Sequence, residues 1–239
     1  MNDRRLAQVL FSRALTGAEF LIALVATSAV AAVAGTISAS PSIATDPVSA
    51  SLVSSVPRII FAALVLAGPL LVVHQAAADR AAGWTAPVFA GRGSAVTYVL
   101  ALVGSIGLAA GSVLASTTIA FHAVAGRLDT ATLMQLLTGM MSLFVLCAYA
   151  AVLWVLAYES SRALLAMLLL WIGPIALAFY LVIGKGMDGQ AVWLRMLVGL
   201  VPPVRQSTEI GHALIQAAYA AFLTGLLVML APKRVPVWR

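Results

Sequence analysis

Long apolar runs constrain this chain more than any other feature of its sequence. Several of them approach or exceed about 18 residues, the length at which an apolar helix can cross a bilayer. Only 9% of the residues are charged, while 62% are hydrophobic. Inside a membrane, only helices and closed barrels satisfy their backbone hydrogen bonds, and these runs lack the polar–apolar alternation of barrel strands. The sequence therefore predicts an all-α polytopic membrane protein with a single transmembrane domain over residues 1–239.

Six of the apolar runs are predicted to be transmembrane helices, at about residues 20–39, 59–75, 95–124, 131–156, 163–183 and 213–230. The third contains Gly107 and Gly111 at GxxxG spacing, which would allow another helix to approach closely. Residues 38–56, between the first two spans, are rich in Ser and Pro and are predicted to form an irregular connector.

The distribution of basic residues predicts the orientation of the chain. With six spans both termini share one side of the membrane, and that side holds nine of the 14 Lys and Arg residues. Because positively charged loops are retained in the cytoplasm, both termini are predicted to be cytoplasmic in a multi-pass protein of the inner membrane. The net charge of +6 is explained in the same way, so nucleic acid is not an expected partner.

Two further segments are too polar or too short to span. Residues 1–16 interleave Arg4, Arg5 and Arg13 with apolar residues at helical spacing, which predicts an amphipathic interfacial helix. The alternative is a signal peptide cleaved after Ala32-Val33-Ala34, although we expect the segment to be retained. Residues 184–211 contain an apolar run of about ten residues that ends at Pro202-Pro203, which predicts a re-entrant helical hairpin between spans five and six.

The segment over residues 76–94 is one of the few polar passages in the chain. Its central part, residues 76–89, is Ala-rich with Trp84 and Phe89 among polar residues, which predicts a short amphipathic helix on the cytoplasmic surface. Asp79 and Arg80 are predicted to be exposed and to fix its orientation. Burial of an aromatic anchor in a partner contributes about 2 kcal/mol or more, against less than about 1 kcal/mol for an exposed charge pair. Trp84 is therefore expected to matter more than Asp79 for binding a partner.

No motif for catalysis or cofactor binding is present in the sequence. The chain lacks the GxxxxGK[ST] loop, HExxH and GxSxG motifs. Its single cysteine, Cys147, lies in an apolar run, and its three histidines, His74, His122 and His212, are far apart in the sequence. We expect no catalytic residues, no metal and no cofactor in this chain.

With this organisation, the chain resembles the permease subunits of ABC-2-type exporters over nearly its whole length. The closest local match is Asp79-Arg80-Ala81-Ala82-Gly83-Trp84, followed by Pro87 and Gly91-Arg92, which is similar to the family's acidic-basic-x-x-Gly element after the second span. Trp84 departs from the Thr or Ser that commonly follows that glycine.

The resemblance implies a transport subunit without ATP-binding motifs of its own. ATP and Mg²⁺ would be bound by a separate ATPase subunit, and the permease would pair with a second copy or a similar chain, with surfaces of the first and fifth spans as candidates for the interface. Residues 76–94 would be the coupling segment, and residues 158–162 a second, smaller contact. The implied coupling residues are Asp79, Arg80, Gly83, Trp84, Phe89, Glu159 and Arg162.

Two other functions remain open from the sequence. One is a polytopic membrane enzyme or an assembly scaffold that works without an ATPase. The other is a component of a haem- or cytochrome-assembly exporter of similar length. A neighbouring reading frame that encodes an ATPase with Walker motifs would separate the transport class from the enzyme or scaffold class.

Overall fold

The computed structural model describes residues 3–40, 47–82, 92–157, 160–167, 204 and 206–234. These residues form helices and contain no strand. The helices are α1 (Asp3–Thr16), α2 (Ala18–Ser38), α3 (Pro47–Ser54), α4 (Val56–Ala81), α5 (Arg92–Val124), α6 (Thr130–Ala157), α7 (Ser160–Met167) and α8 (Ile210–Arg234).

Five of these helices are long and apolar enough to cross a membrane: α2, α4, most of α5, α6 and α8. The chain is therefore a multi-pass helical membrane protein. These helices lie where the first, second, third, fourth and sixth spans are predicted. Of the predicted fifth span only residues 163–167 are described, within α7. Of the predicted re-entrant hairpin over residues 184–211, only residues 204 and 206–211 are described, and Pro202 and Pro203 lie outside the described residues.

The second span and the first connector differ from their predictions. Helix α4 begins at Val56, with Pro57 in its first turn, and continues six residues beyond Gln75 to Ala81. It therefore includes Asp79 and Arg80, which the sequence assigned to a separate surface helix. The connector over residues 38–56 is not wholly irregular, because it contains α3. Pro47 opens that helix, at a position where the missing N–H has no helical partner to lose.

Helices α5 and α6 form the centre of the bundle. In the most apolar 18-residue stretch of each helix, 61% of α5 and 67% of α6 is buried inside the protein. The corresponding share is 17% in α2 and in α8. Helix α5 packs against α1, α2, α4, α6 and α8. The main core cluster includes Leu102 from α5, Trp154 from α6 and Leu227 from α8, each at most 2% exposed.

Glycines allow α5 to approach its neighbours closely. A Cβ atom added at Gly107 would lie 3.3 Å from Phe144 Cδ2, and one added at Gly111 would lie 3.1 Å from Met140 Cε. The prediction that this GxxxG pair permits close helix packing is confirmed for α5 and α6. Gly35 of α2 is tighter still, because an added Cβ would lie 2.6 Å from the backbone oxygen of Phe121.

Buried polar contacts join α8 and the residues before it to α6. Gln216 Nε2 donates to Ser142 Oγ at 2.8 Å. Thr138 Oγ1 donates to the carbonyl of Ser207 at 3.0 Å and accepts from the Ser207 amide at 2.9 Å. In a membrane core such bonds satisfy groups that lipid cannot.

The turn between α5 and α6 lies at the opposite end of the bundle from α1. Gly126 adopts a positive φ of 66° there, a conformation that glycine adopts without steric cost. Asp129 Oδ1 then accepts a hydrogen bond from the Thr132 amide at 2.8 Å and caps α6. This hydrogen bond lowers the pKa of the Asp129 carboxyl below its ordinary value.

Candidate functional site

The N-terminal helix is the first component of the candidate site. Helix α1 begins at Asp3 and ends at Thr16, in agreement with the predicted helix over residues 1–16. Its apolar side is buried within the protein: Leu6 and Leu10 are 3% and 5% exposed and belong to the same cluster as Val99 and Leu102 of α5. Arg4 and Arg5 are exposed. The helix thus packs against the bundle through its apolar face, and Arg13 near its end extends towards α4.

Asp79, in the last turns of α4, accepts hydrogen bonds from three helices. Its Oδ1 accepts from Arg13 Nη1 of α1 at 2.8 Å and from Gln75 Nε2 of α4 at 2.7 Å. Its Oδ2 accepts from the hydroxyl of Tyr98 of α5 at 2.9 Å. We refer to these four residues as the Asp79 cluster.

Burial makes these contacts necessary. Asp79 is 3% exposed and Tyr98 is also 3% exposed. A buried carboxylate is costly unless it is paired with a cation and its oxygens are hydrogen-bonded. Here both oxygens are satisfied, and the Arg13 side chain remains 53% exposed, so the cation keeps much of its hydration. The cluster fixes the end of the second span against α1 and α5.

Helix α7 adds a second element at the same end of the bundle. It follows α6, which begins at the turn after α5 and returns to the end of the bundle where α1 lies. It packs against both α6 and α4. Ala163 is fully buried and shares the core cluster with Ala76 of α4. Arg162 is exposed on this helix. The structure thus brings residues 76–82 of the predicted coupling segment and residues 160–162 of the predicted second contact to one end of the molecule.

The predicted coupling residues divide into described and undescribed ones. Asp79 and Arg80 lie in α4 and Arg162 lies in α7. Gly83, Trp84, Phe89 and Glu159 lie outside the described residues. The prediction that Asp79 is an exposed surface charge is wrong: α4 continues through it, and its side chain faces Arg13 and Tyr98 inside the bundle.

A cavity of about 500 Å³ lies beside the Asp79 cluster, between α1, α2, α4 and α5. Its walls are mainly apolar and include Phe20, Leu64, Leu71, Ile106 and Val113. Four of its polar lining residues, Arg13, Glu19, His74 and Gln75, lie at the end next to α1. The fifth, Ser105 of α5, donates its hydroxyl hydrogen bond to the carbonyl oxygen of Leu102. We call it the lateral cavity; it is only partly enclosed, and α2 and α4, which both line it, have little contact with each other.

The three histidines are separated in the fold. His74 lines the lateral cavity, whereas His122 is near the far end of α5. His212 Nδ1 lies 2.9 Å from Glu209 Oε2 at the start of α8. Among the described residues, no group of three or more His, Cys, Asp and Glu side chains is placed to hold a metal ion.

The sequence did not single out Gln75 and Tyr98, and it assigned Arg13 only to an interfacial helix. The spacing of Gln75 and Asp79 by four residues places them on one face of a helix, which is a usable local signal. Tyr98 is 19 residues further along the chain and Arg13 is 66 residues away from Asp79. Contacts of that separation depend on how the helices pack.

Comparisons with protein-family models, with curated proteins and with solved structures found no match to this chain.

Proposed function

We propose that this chain is the transmembrane permease subunit of an ABC-type exporter, which moves a substrate across the cytoplasmic membrane and is powered by a separate ATPase subunit. The observation that carries the proposal is the Asp79 cluster. It joins the N-terminal helix and two membrane helices at the start of the segment over residues 76–94, which resembles the coupling segment of this family.

A permease of this class must transmit force from the ATPase to its membrane helices. An ATPase changes shape in water, whereas the substrate path lies in lipid, so movement must pass through an element that contacts both. Such an element transmits motion only if its base is rigid. Three charge-assisted or buried hydrogen bonds to Asp79 provide that rigidity at the end of α4.

Helix α7 provides a second observation that supports the same proposal. It packs against α4 and presents Arg162 at the same end of the bundle as Arg80. A partner that binds there contacts both elements at once. Trp84 and Phe89 are its proposed apolar anchors, and Glu159 belongs to the second contact.

The proposed assembly contains two permease chains, identical or similar, and two ATPase subunits that bind ATP and Mg²⁺. Each permease has six spans, with both termini in the cytoplasm and a re-entrant hairpin around Pro202 and Pro203. The chain itself carries out no hydrolysis. The apolar surroundings of the bundle are compatible with an amphipathic substrate.

Purification of the tagged chain from its own membranes tests the proposal. We expect an ATPase with Walker motifs to co-purify in equal amount, and substrate-stimulated ATP hydrolysis by the complex. Trp84→Ala and Arg162→Ala should each reduce the recovered ATPase. Loss of one aromatic anchor corresponds to about 2 kcal/mol of binding free energy.

The matched control is Arg127→Ala, which removes an exposed cation at the opposite end of the bundle. It should leave ATPase recovery unchanged. If the intact chain brings down no ATPase, or if Arg127→Ala reduces recovery as much as Trp84→Ala, the transport-subunit proposal fails and an enzyme or scaffold is favoured.

A further inference from the structure

The lateral cavity combines an apolar interior with charges at one end, and none of the sequence motifs accounts for it. Leu64 and Gln75 mark its extent along α4. Gln75 lies 11 positions after Leu64, which corresponds to about 17 Å at the helical rise of about 1.5 Å per residue. That is about half of the 30 Å hydrocarbon thickness of a bilayer. The cavity is therefore as deep as one leaflet, with its polar end at the level of α1.

The polar end contains one cationic side chain, Arg13, and one anionic side chain, Glu19. Arg13 uses Nη1 for Asp79, but a guanidinium carries five N–H donors, so further donors remain. Glu19, in the first turn of α2, is exposed and has no hydrogen-bond partner among the described residues. His74 and Gln75 add polar side chains beside them.

Charge complementarity selects the class of headgroup. Arg13 is paired with Asp79, so it offers a ligand its further N–H donors rather than an uncompensated charge. A purely anionic headgroup would meet these donors but would also lie beside Glu19, and a purely cationic one would leave the donors without an acceptor. A zwitterion whose phosphate meets Arg13 and whose ammonium meets Glu19 satisfies both. Its N–H donors form charge-assisted hydrogen bonds to the Glu19 carboxylate, which a methylated ammonium cannot form.

We propose that the lateral cavity binds one phospholipid with a phosphoethanolamine headgroup, from the leaflet on the side of α1. One acyl chain lies along Leu71, Leu64 and Ile106, and because the cavity is only partly enclosed, the second chain remains in the bilayer. The volume of about 500 Å³ lies in the range of about 300–1,000 Å³ typical of sites for small organic ligands. The site does not depend on the proposed transport activity.

The test measures lipid bound to the purified full chain in detergent micelles that contain equal amounts of phosphatidylethanolamine, phosphatidylcholine and phosphatidylglycerol. Native mass spectrometry counts and identifies the retained lipid. We expect one phosphatidylethanolamine per chain, preferred on the order of tenfold over the other two because of its hydrogen bonds to Glu19. Glu19→Gln should abolish the preference over phosphatidylglycerol.

Matched variants separate the cavity from the general lipid surface. Ala67→Phe places a bulky side chain in the cavity from α4, whereas Ala62→Phe places the same side chain on an exposed part of α4 outside it. On α2, Ala23→Phe and Ala26→Phe form a corresponding pair. Ala67→Phe and Ala23→Phe should lose the bound lipid, and the two controls should retain it.

Three results would overturn the proposal. They are a wild-type chain that retains no lipid, equal retention of all three lipids, and unchanged retention by both cavity-filling variants. Having the two pairs on different helices keeps the test valid if one variant does not fold.

Discussion

Asp79 illustrates how one buried charge organises several helices. Asp79 is 3% exposed, and its carboxylate accepts three hydrogen bonds, from Arg13, Gln75 and Tyr98. Removing a single donor leaves part of a buried carboxylate without a partner, which costs more than the hydrogen bond itself contributes. Substitutions in this cluster should therefore affect the membrane bundle as well as any partner bound to it.

Tyr98→Phe tests the cluster with the smallest change. The variant keeps the ring and its packing but removes the hydroxyl that donates to Asp79 Oδ2. We expect the free energy of unfolding to fall by about 1–3 kcal/mol, measured by reversible denaturation in mixed micelles.

The control is Tyr149→Phe, whose hydroxyl has no hydrogen bond among the described residues. It should change the free energy of unfolding much less. Equal effects of the two variants would show that the Tyr98 hydroxyl does not stabilise the buried carboxylate.

At the scale of elements, the close contact between α2 and α5 depends on Gly35 having no side chain. Gly35 lies against the backbone of Phe121, and an added Cβ would lie 2.6 Å from its carbonyl oxygen. Real Cβ atoms do not approach that closely, and a backbone atom cannot rotate away as a flexible side chain can. The two helices must therefore separate if this position carries a larger residue.

Gly35→Ala should consequently destabilise the bundle, by about 1–3 kcal/mol as for other overpacked sites. Gly225→Ala in α8 is the matched control, because nothing lies within 4 Å of its added Cβ. Thermal unfolding in detergent distinguishes them: the Gly35 variant should melt earlier, and the Gly225 variant should melt no earlier than the wild type. A Gly35 variant as stable as the wild type would contradict the close contact.

At the scale of the whole molecule, membrane topology depends on all the spans together and not on any single residue or helix. The positive-inside excess predicts that residues 42 and 91 lie on opposite sides of the membrane. Cysteines introduced by Ser42→Cys and Gly91→Cys should react with an impermeant maleimide from opposite sides. The native Cys147 is buried and provides no competing reaction. Labelling of both positions from one side would contradict the six-span topology.

The sequence was sufficient for features that depend on local patterns. Continuous apolar runs located α2, α4, α5, α6 and α8, and the period of α1 located its apolar face. It was not sufficient for the end of α4, because the charged residues after Gln75 suggested the membrane surface, whereas Asp79 is buried against Arg13 and Tyr98. The lateral cavity likewise depends on the relative positions of four helices, which no local pattern determines.

Site-specific photo-crosslinking tests the central claim of ATPase coupling most directly. A photoreactive amino acid is placed at position 84, at position 162, or at position 128 in the exposed turn between α5 and α6 at the opposite end of the bundle. The proposed function predicts that positions 84 and 162 form adducts with an ATPase subunit in native membranes and that position 128 does not. Absence of an ATPase adduct from positions 84 and 162, or an equal adduct from position 128, would contradict it.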